Sequence, residues 1–167
     1  MKAGAKRLAQ VVLGASHLAQ CAIPAVLDPP SDSHRISIEK WKSDLRAFLE
    51  SQALYAFEKI NSCPGLSVIL PQGALYAMVH IDISAFDDVI KDDIMFTKLL
   101  LKEENVFCLP GQAFGIGANG FHVFRVVFCA PREQLTLAFE RLYNFCVRHL
   151  YPDIEQSGIQ FILPPEK

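Results

Sequence analysis

The sequence predicts an α/β protein whose second half is a small α+β domain, and three observations carry that reading. First, Trp41, Leu45, Phe48, Leu49, Ala56, Phe57 and Ile60 recur mainly at spacings of three and four, with Glu39, Lys42, Asp44, Arg46 and Glu50 between them. Such a pattern marks a long amphipathic helix. Second, after Pro64-Gly65 the period shortens to two, and strands and helices interleave as ββαββα, the pattern of a small sheet with helices packed on it. Third, Arg132 to Leu150 returns to helical spacing, with Leu135, Leu137, Phe139, Leu142 and Phe145 supplying a core stripe.

Taken in order, residues 3–20 read as a helix, followed by a second short apolar helix that ends before Asp28-Pro29-Pro30, where prolines remove donors. Residues 28–35 form a turn or linker, and the long helix runs from about Ser37 to Asn61. Two strands, Ser67 to Leu70 and Leu75 to Asp82, flank the turn residues Pro71-Gln72-Gly73. The acidic stretch Asp87 to Asp93 precedes a helix over Ile94 to Glu104. A short strand, Val106 to Leu109, leads through Pro110-Gly111 and a glycine-rich loop to a strand over Phe121 to Cys129, rich in β-branched and aromatic residues. Pro131 suits the first position of the last helix, and the tail from Tyr151, with three prolines, reads as an arm. The expected organisation is therefore four parts: residues 1–36, the long helix 37–62, a small C-terminal domain 63–150 and a tail 151–167.

Composition narrows the function. The 167 residues suffice for one ordinary core, while 51% hydrophobic against 20% charged residues implies that some surface is covered by a partner or a further domain. A net charge of -2 and a pI of about 6.2, with no basic stripe, exclude phosphate-backbone recognition and hence nucleic acid. Lys2, Lys6 and Arg7 before the apolar run Leu8 to Leu27 imitate a targeting signal. Gln10, Ser16, His17 and Gln20 interrupt that run, however, so it reads as a helix on a protein surface and no membrane is expected. The five cysteines are scattered and odd in number, and the five histidines show no ligand spacing. A reduced, cytoplasmic protein without a metal follows.

Two features could carry chemistry. Gly115 to Gly120 matches GxGxxG, but a dinucleotide fingerprint opens a helix whose N-terminus faces pyrophosphate, and Gly120 leads into a predicted strand. The loop is read as a connection between strands. Arg125 stands mid-strand, on one face with Val123 and Val127, in a segment apolar on both sides. Burying its charge unpaired would cost several kcal/mol, so it must meet a carboxylate or phosphate. From the residues alone, a structural ion pair with Asp or Glu and a ligand-binding role both stay open.

Three segments resemble one family. Pro71-Gln72-Gly73-Ala74-Leu75-Tyr76 is similar to the Pro-x-Gly-Ala-x-Tyr strand start of fold-type I, class I and II, aminotransferases, especially the tyrosine aminotransferase group. Val106 to Gly115 is similar to that group's strand, Pro-Gly turn and Phe-Gly loop, and Phe124-Arg125-Val126-Val127 falls at its Phe/Ile-Arg-hydrophobic signature. All three stand in family order, and the likeness extends over about residues 3–150. The resemblance implies that 1–36 ends the large cofactor domain, that 37–62 is the connecting helix and that 63–150 is the small domain. It further implies an enzyme that uses pyridoxal phosphate, moves an amino group between an amino acid, such as tyrosine or another aromatic one, and a 2-oxo acid, and works as a homodimer, in the cytoplasm or in mitochondria. Arg125 would bind the substrate α-carboxylate. Gly73 and Ala74 would lie near the substrate entrance or serve only as turn and strand start, and Phe114 would line the pocket or pack in the core.

One departure weighs against a self-sufficient enzyme. The family's lysine sits in a Ser-Lys-x-x-x-x-Pro-Gly-x-Arg-x-Gly-like stretch, and nothing of that kind occurs here, since Lys2 and Lys6 have no such setting. Lysine links the cofactor and shuttles the substrate proton, so the chain is expected to hold no catalytic residue and no cofactor by itself. It then reads as an inactive C-terminal fragment. The other readings are a non-catalytic carboxylate-binding or dimerisation module, and a related pyridoxal-phosphate lyase or synthase.

Overall fold

A computed structural model describes residues 2–12, 14–29, 31–117 and 120–151. The expected tail lies, beyond Tyr151, outside the described residues. The chain divides into two compact units between Arg46 and Ala47, inside its longest helix.

The first unit is helical. Helix α1 (Lys2–Val12) and helix α2 (His17–Leu27) are the two helices expected, but the first, expected to reach residue 20, stops at Val12 and the second begins at His17. The break falls at Gly14, whose φ of 147° leaves the helical region for one that side-chain-bearing residues avoid. Periodicity missed it because the apolar spacing continues across the gap. Pro24 sits inside α2, which ends as expected before Asp28, the Asp28 N–H donating to the Pro24 carbonyl at 2.8 Å. Helix α3 (Asp32–Asn61) begins five residues before the predicted Ser37, with the Ser31 hydroxyl accepting from the His34 N–H at 3.4 Å. Leu8, Val11, Leu18 and Leu27 are exposed along α1 and α2.

The second unit is a four-stranded antiparallel sheet with helices. Its strands are β1 (Leu66–Val68), β2 (Tyr76–Ile81), β3 (Leu109–Pro110) and β4 (Val123–Val127), in the order β1-β2-β4-β3. Helix α4 (Asp93–Glu104) precedes β3, and helix α5 (Arg132–His149) follows β4, both within a residue of their predicted limits. Two strands differ from expectation. β1 stops at Val68, where the Asn61 side chain satisfies both its N–H, at 2.9 Å, and its carbonyl, at 3.1 Å. β3 is two residues long and starts at Leu109, because Asn105 turns left-handed to close α4 and the chain reaches the sheet only afterwards. Pro110, which lacks an N–H, is tolerated in β3 because that strand is the sheet edge.

The core lies on one sheet face. Ala77, Val79 and Ile81 of β2 and Phe124 and Val126 of β4 pack with α4, α5 and the end of α3. Phe96 of α4 is its centre, stacked on Phe124 at 5.2 Å and edge-on to Phe86 and Phe145 at 5.6 and 5.2 Å.

At the far end of α4 a charge cluster ties the helices together. His149 directs Nδ1 to Asp87 at 2.7 Å and Nε2 to Glu103 at 3.0 Å, while Arg148 reaches Glu103 and Glu104 at 2.8 and 2.6 Å. Burial alone would lower the His149 pKa, but hydrogen bonds and attraction from Asp87 and Glu103 outweigh it and raise the pKa above 6.5. A raised histidine pKa stabilises the fold fully below the unfolded value, and this contribution is lost as pH rises through the folded one. His149→Ala should therefore cost about 1–3 kcal/mol near pH 6 and less near pH 8.5. Urea unfolding of both proteins at the two pH values checks this, and a cost that grows with pH would contradict the ionic origin.

Candidate functional site

Strand alternation builds the site. Because Phe124 and Val126 enter the core, Val123, Arg125 and Val127 occupy the opposite sheet face. Arg125 stands opposite Met78 on β2 and Leu109 on β3, while Tyr76 faces Val127 and His80 faces Val123. The guanidinium carbon lies 4.5 Å from the Phe114 ring centre and 5.2 Å from that of Tyr76, within reach of the ring faces.

The structure corrects one expectation and bears on another. The strand is not buried on both faces, for Val127 is 44% exposed and Arg125 is half-buried. Its outer apolar residues surround an arginine rather than fill a core. Among the described residues Arg125 forms no ion pair, and its buried Nε has no hydrogen-bond partner. The internal carboxylate that a structural ion pair would require is therefore missing from the described residues.

Phe114 owes its place to a pinned turn. Residues Gly111–Phe114 form a short 3₁₀ turn, closed by hydrogen bonds from Gly115 N–H to the Gln112 carbonyl at 3.1 Å and from Ile116 N–H to the Gly111 carbonyl at 3.0 Å. Asp93, 0% exposed in the first turn of α4, accepts from the Gln112 backbone N–H at 2.9 Å and from its side-chain Nε2 at 2.6 Å. His122 Nδ1 stands 3.5 Å from the same carboxylate, an electrostatic contact rather than a hydrogen bond. Burial alone would raise the Asp93 pKa, but the Gln112 donors, with a smaller contribution from His122, outweigh it and hold the carboxyl below the usual range. Asp93 is accordingly an ionised carboxylate satisfied within the fold.

A cleft of about 160 Å³ opens where β3 and β4 meet α5, on the helix side of the sheet, lined by Val106, Phe107, Leu109, Val126, Leu135 and Phe139, so it is not the face that carries the Arg125 guanidinium. Burial pushes the thiol of neighbouring Cys108 up to about 12, which removes it as a nucleophile at neutral pH. Gly73 and Ala74 lie on the exposed turn before Tyr76, with open space around Gly73 and a left-handed φ of 61° at Ala74. Phe114 is 43% exposed against the guanidinium and so is not a core residue. Of the GxGxxG loop, Ala118 and Asn119 lie outside the described residues, and Gly120 leads into β4 rather than a helix. Tyr76, Asp93 and Gln112 were not anticipated as site residues. Register identifies Tyr76, whereas Asp93 looked like an ordinary acid ahead of a helix.

The sequence and fold of the chain, rather than this arrangement itself, have counterparts among known proteins. Residues 1–142 match the model of the aminotransferase class I and II family, to which the chain belongs. It is 37% identical over 142 residues to a tyrosine aminotransferase of Dictyostelium discoideum, covering 85% of this chain and 32% of that protein. A tyrosine aminotransferase of Caenorhabditis elegans is 35% identical over 160 residues, covering 95% and 31%. Among solved structures, the tyrosine aminotransferase from Leishmania infantum superposes with a TM-score of 0.71 at 28% identity, covering 89% of this chain and 34% of that one. The chain thus spans about a third of the length of the curated relatives it matches. Among the described residues no helix is long and apolar enough to cross a membrane.

Gly111 supplies a direct test of the pinned turn. A Cβ there would lie 2.5 Å from Val123 Cγ2 and 3.0 Å from the Val123 carbonyl oxygen. Gly111→Ala should cost about 1–3 kcal/mol, the usual range for overpacking. Urea denaturation measures it, and an unchanged midpoint would show that the turn yields without strain.

Proposed function

We propose that this chain is the carboxylate-binding part of a pyridoxal-phosphate-dependent aminotransferase, in which Arg125 grips the α-carboxylate of an aromatic amino acid such as tyrosine and of the partner 2-oxo acid. The observation that carries the reading is the half-buried guanidinium of Arg125, left without an internal anion among the described residues and set on an open sheet face. A fixed, planar fork offers a carboxylate two parallel hydrogen bonds and stays charged at any working pH. Contact with the Tyr76 and Phe114 rings strips water from the guanidinium, strengthens those bonds and provides apolar surface for an aromatic side chain. The gain for catalysis is positional, since fixing the carboxylate fixes the orientation of the substrate α-carbon.

Pyridoxal phosphate does not fit the residues present. No lysine lies among the residues named around Arg125, and no stretch like the family's lysine segment occurs in the sequence. No step of amino transfer is therefore assigned to this chain, and the cofactor is held, in this reading, by residues outside it. The same proposal reads α3 as the connecting helix and the exposed apolar residues of α1 and α2 as surface covered by the remaining protein or a second subunit. It places the protein in the cytoplasm, in keeping with five unpaired cysteines.

The test is a titration of the purified chain with 3-phenylpropanoate, an aromatic monocarboxylate, followed by the Arg125 side-chain NMR signal or calorimetry. Arg125→Ala should weaken binding about ten- to a hundredfold, or about 1.4–2.7 kcal/mol, and Arg125→Lys should fall between. Supplied with pyridoxal phosphate, tyrosine and 2-oxoglutarate, the chain should show no transamination. Equal binding by the wild type and Arg125→Ala, or none by either, would refute the carboxylate role.

A further inference from the structure

Phe114 lies in a turn whose own sequence gives it little reason to stay in place. The 3₁₀ segment is four residues long, with Gly115 directly after it and Gly117 two residues further on. Short 3₁₀ turns have poor hydrogen-bond geometry, and glycines leave the following chain free to rearrange. Something outside the turn must hold it.

That hold is visible at Gln112. Its backbone N–H and its side-chain Nε2 both donate to Asp93, at 2.9 and 2.6 Å, and its carbonyl accepts from Gly115. Gly117 closes over its aliphatic stem, so that a Cβ on Gly117 would come within 2.8 Å of Gln112 Cγ. Asp93 in turn cannot move freely, because it begins α4, whose Phe96 and Leu100 are wholly buried. The chain of contacts runs from the core through Asp93 and Gln112 to the turn, and from the turn through Phe114 to the guanidinium of Arg125.

We propose that the buried Asp93–Gln112 pair is a positioning latch that holds Phe114 over Arg125 and thereby sets the carboxylate affinity of the site. The inference rests on the reading of Arg125 as the carboxylate-binding group. Neither residue of the latch forms an ion pair or hydrogen bond with the guanidinium. Both act through Phe114. Charge makes the latch strong, since an ionised acceptor gives hydrogen bonds about twice the strength of neutral ones. Depth makes it selective, because a buried carboxylate that lost these donors would have no water to replace them.

Gln112→Leu is the primary variant, for it removes the side-chain donor while keeping the backbone N–H on Asp93. Asp93→Asn serves as the conservative variant, since the Gln112 amide can rotate and accept from the new side-chain NH₂. Two readouts separate a latch from a merely structural pair. In the ligand-free chain, exchange of the Arg125 Nε–H with water and the nuclear Overhauser contacts between Phe114 and Arg125 report the ring position. Gln112→Leu should speed exchange roughly tenfold and erase those contacts, with Asp93→Asn intermediate and the amide spectrum elsewhere unchanged. Affinity for 3-phenylpropanoate should fall roughly fivefold in Gln112→Leu, the size expected for one partly buried cation–π contact. Unchanged exchange and contacts would overturn the latch, and altered contacts with unchanged affinity would overturn its control of binding. Equal affinity of the wild type and Arg125→Ala would sink the carboxylate reading instead, with the latch still judged by exchange and ring contacts.

Discussion

Strand β4 cannot serve two masters on one face, and this constraint organises the second unit. Successive side chains of a strand point to opposite sides, so placing Phe124 against Phe96 commits Arg125 to the far face, away from α4 and α5. A slip of one residue would drive the guanidinium into an aromatic cluster and expose Phe124. The stacked phenylalanines and the half-buried arginine are two results of one register. Pairing with β2 then brings Met78 opposite Arg125 and sets Tyr76 and His80 on either side, without any further requirement on those residues.

Two charges of opposite sign lie at the same end of this unit, and the fold treats them differently. Asp93 is fully buried, yet it receives a backbone and a side-chain donor from Gln112. Its desolvation is met from within. Arg125 receives aromatic faces, which attract a cation but accept none of its N–H groups in the plane of the guanidinium. A donor set left open in its own plane among the described residues, beside rings that exclude water, is what the proposed carboxylate role rests on.

Much of this was legible in the sequence, and the exceptions have physical causes. The helices α4 and α5 and the strand β4 carry strong periodicity, and each begins and ends close to its predicted limits. The break at Gly14 was hidden because apolar spacing reads straight across it, and the early start of α3 because Ser31 and Asp32 looked like linker chemistry after two prolines. β3 shrank to two residues since strand length depends on where the partner strand lies, which no local pattern encodes. For the site, Arg125 stood out as a charge in an apolar strand. Phe114 could be read as lining or core, and only the structure shows it exposed beside the guanidinium rather than in the core. Asp93 and Gln112 are separated by 19 residues, so nothing in either neighbourhood announces the pair.

Helix α4 joins these matters, because its two ends do different work. Twelve residues span about 18 Å, long enough to separate the ends electrostatically at physiological salt, where screening acts over about 8 Å. The N-terminal end anchors the turn beneath Phe114 through Asp93. The C-terminal end is fastened to α5, with Glu103 and Glu104 meeting Arg148 and His149, and Arg141 donating to the Glu104 carbonyl at 3.0 Å. Phe96 and Leu100 lock the middle of the helix into the core, so strain at the C-terminal end has to pass through wholly buried residues before it can reach the site. Loss of charge at that end would therefore lower global stability while leaving Phe114 over Arg125 until the whole unit unfolds. Loss of the Asp93 contacts would free the turn while the aromatic core stays intact. Binding geometry and fold stability share one helix and remain separable along its length.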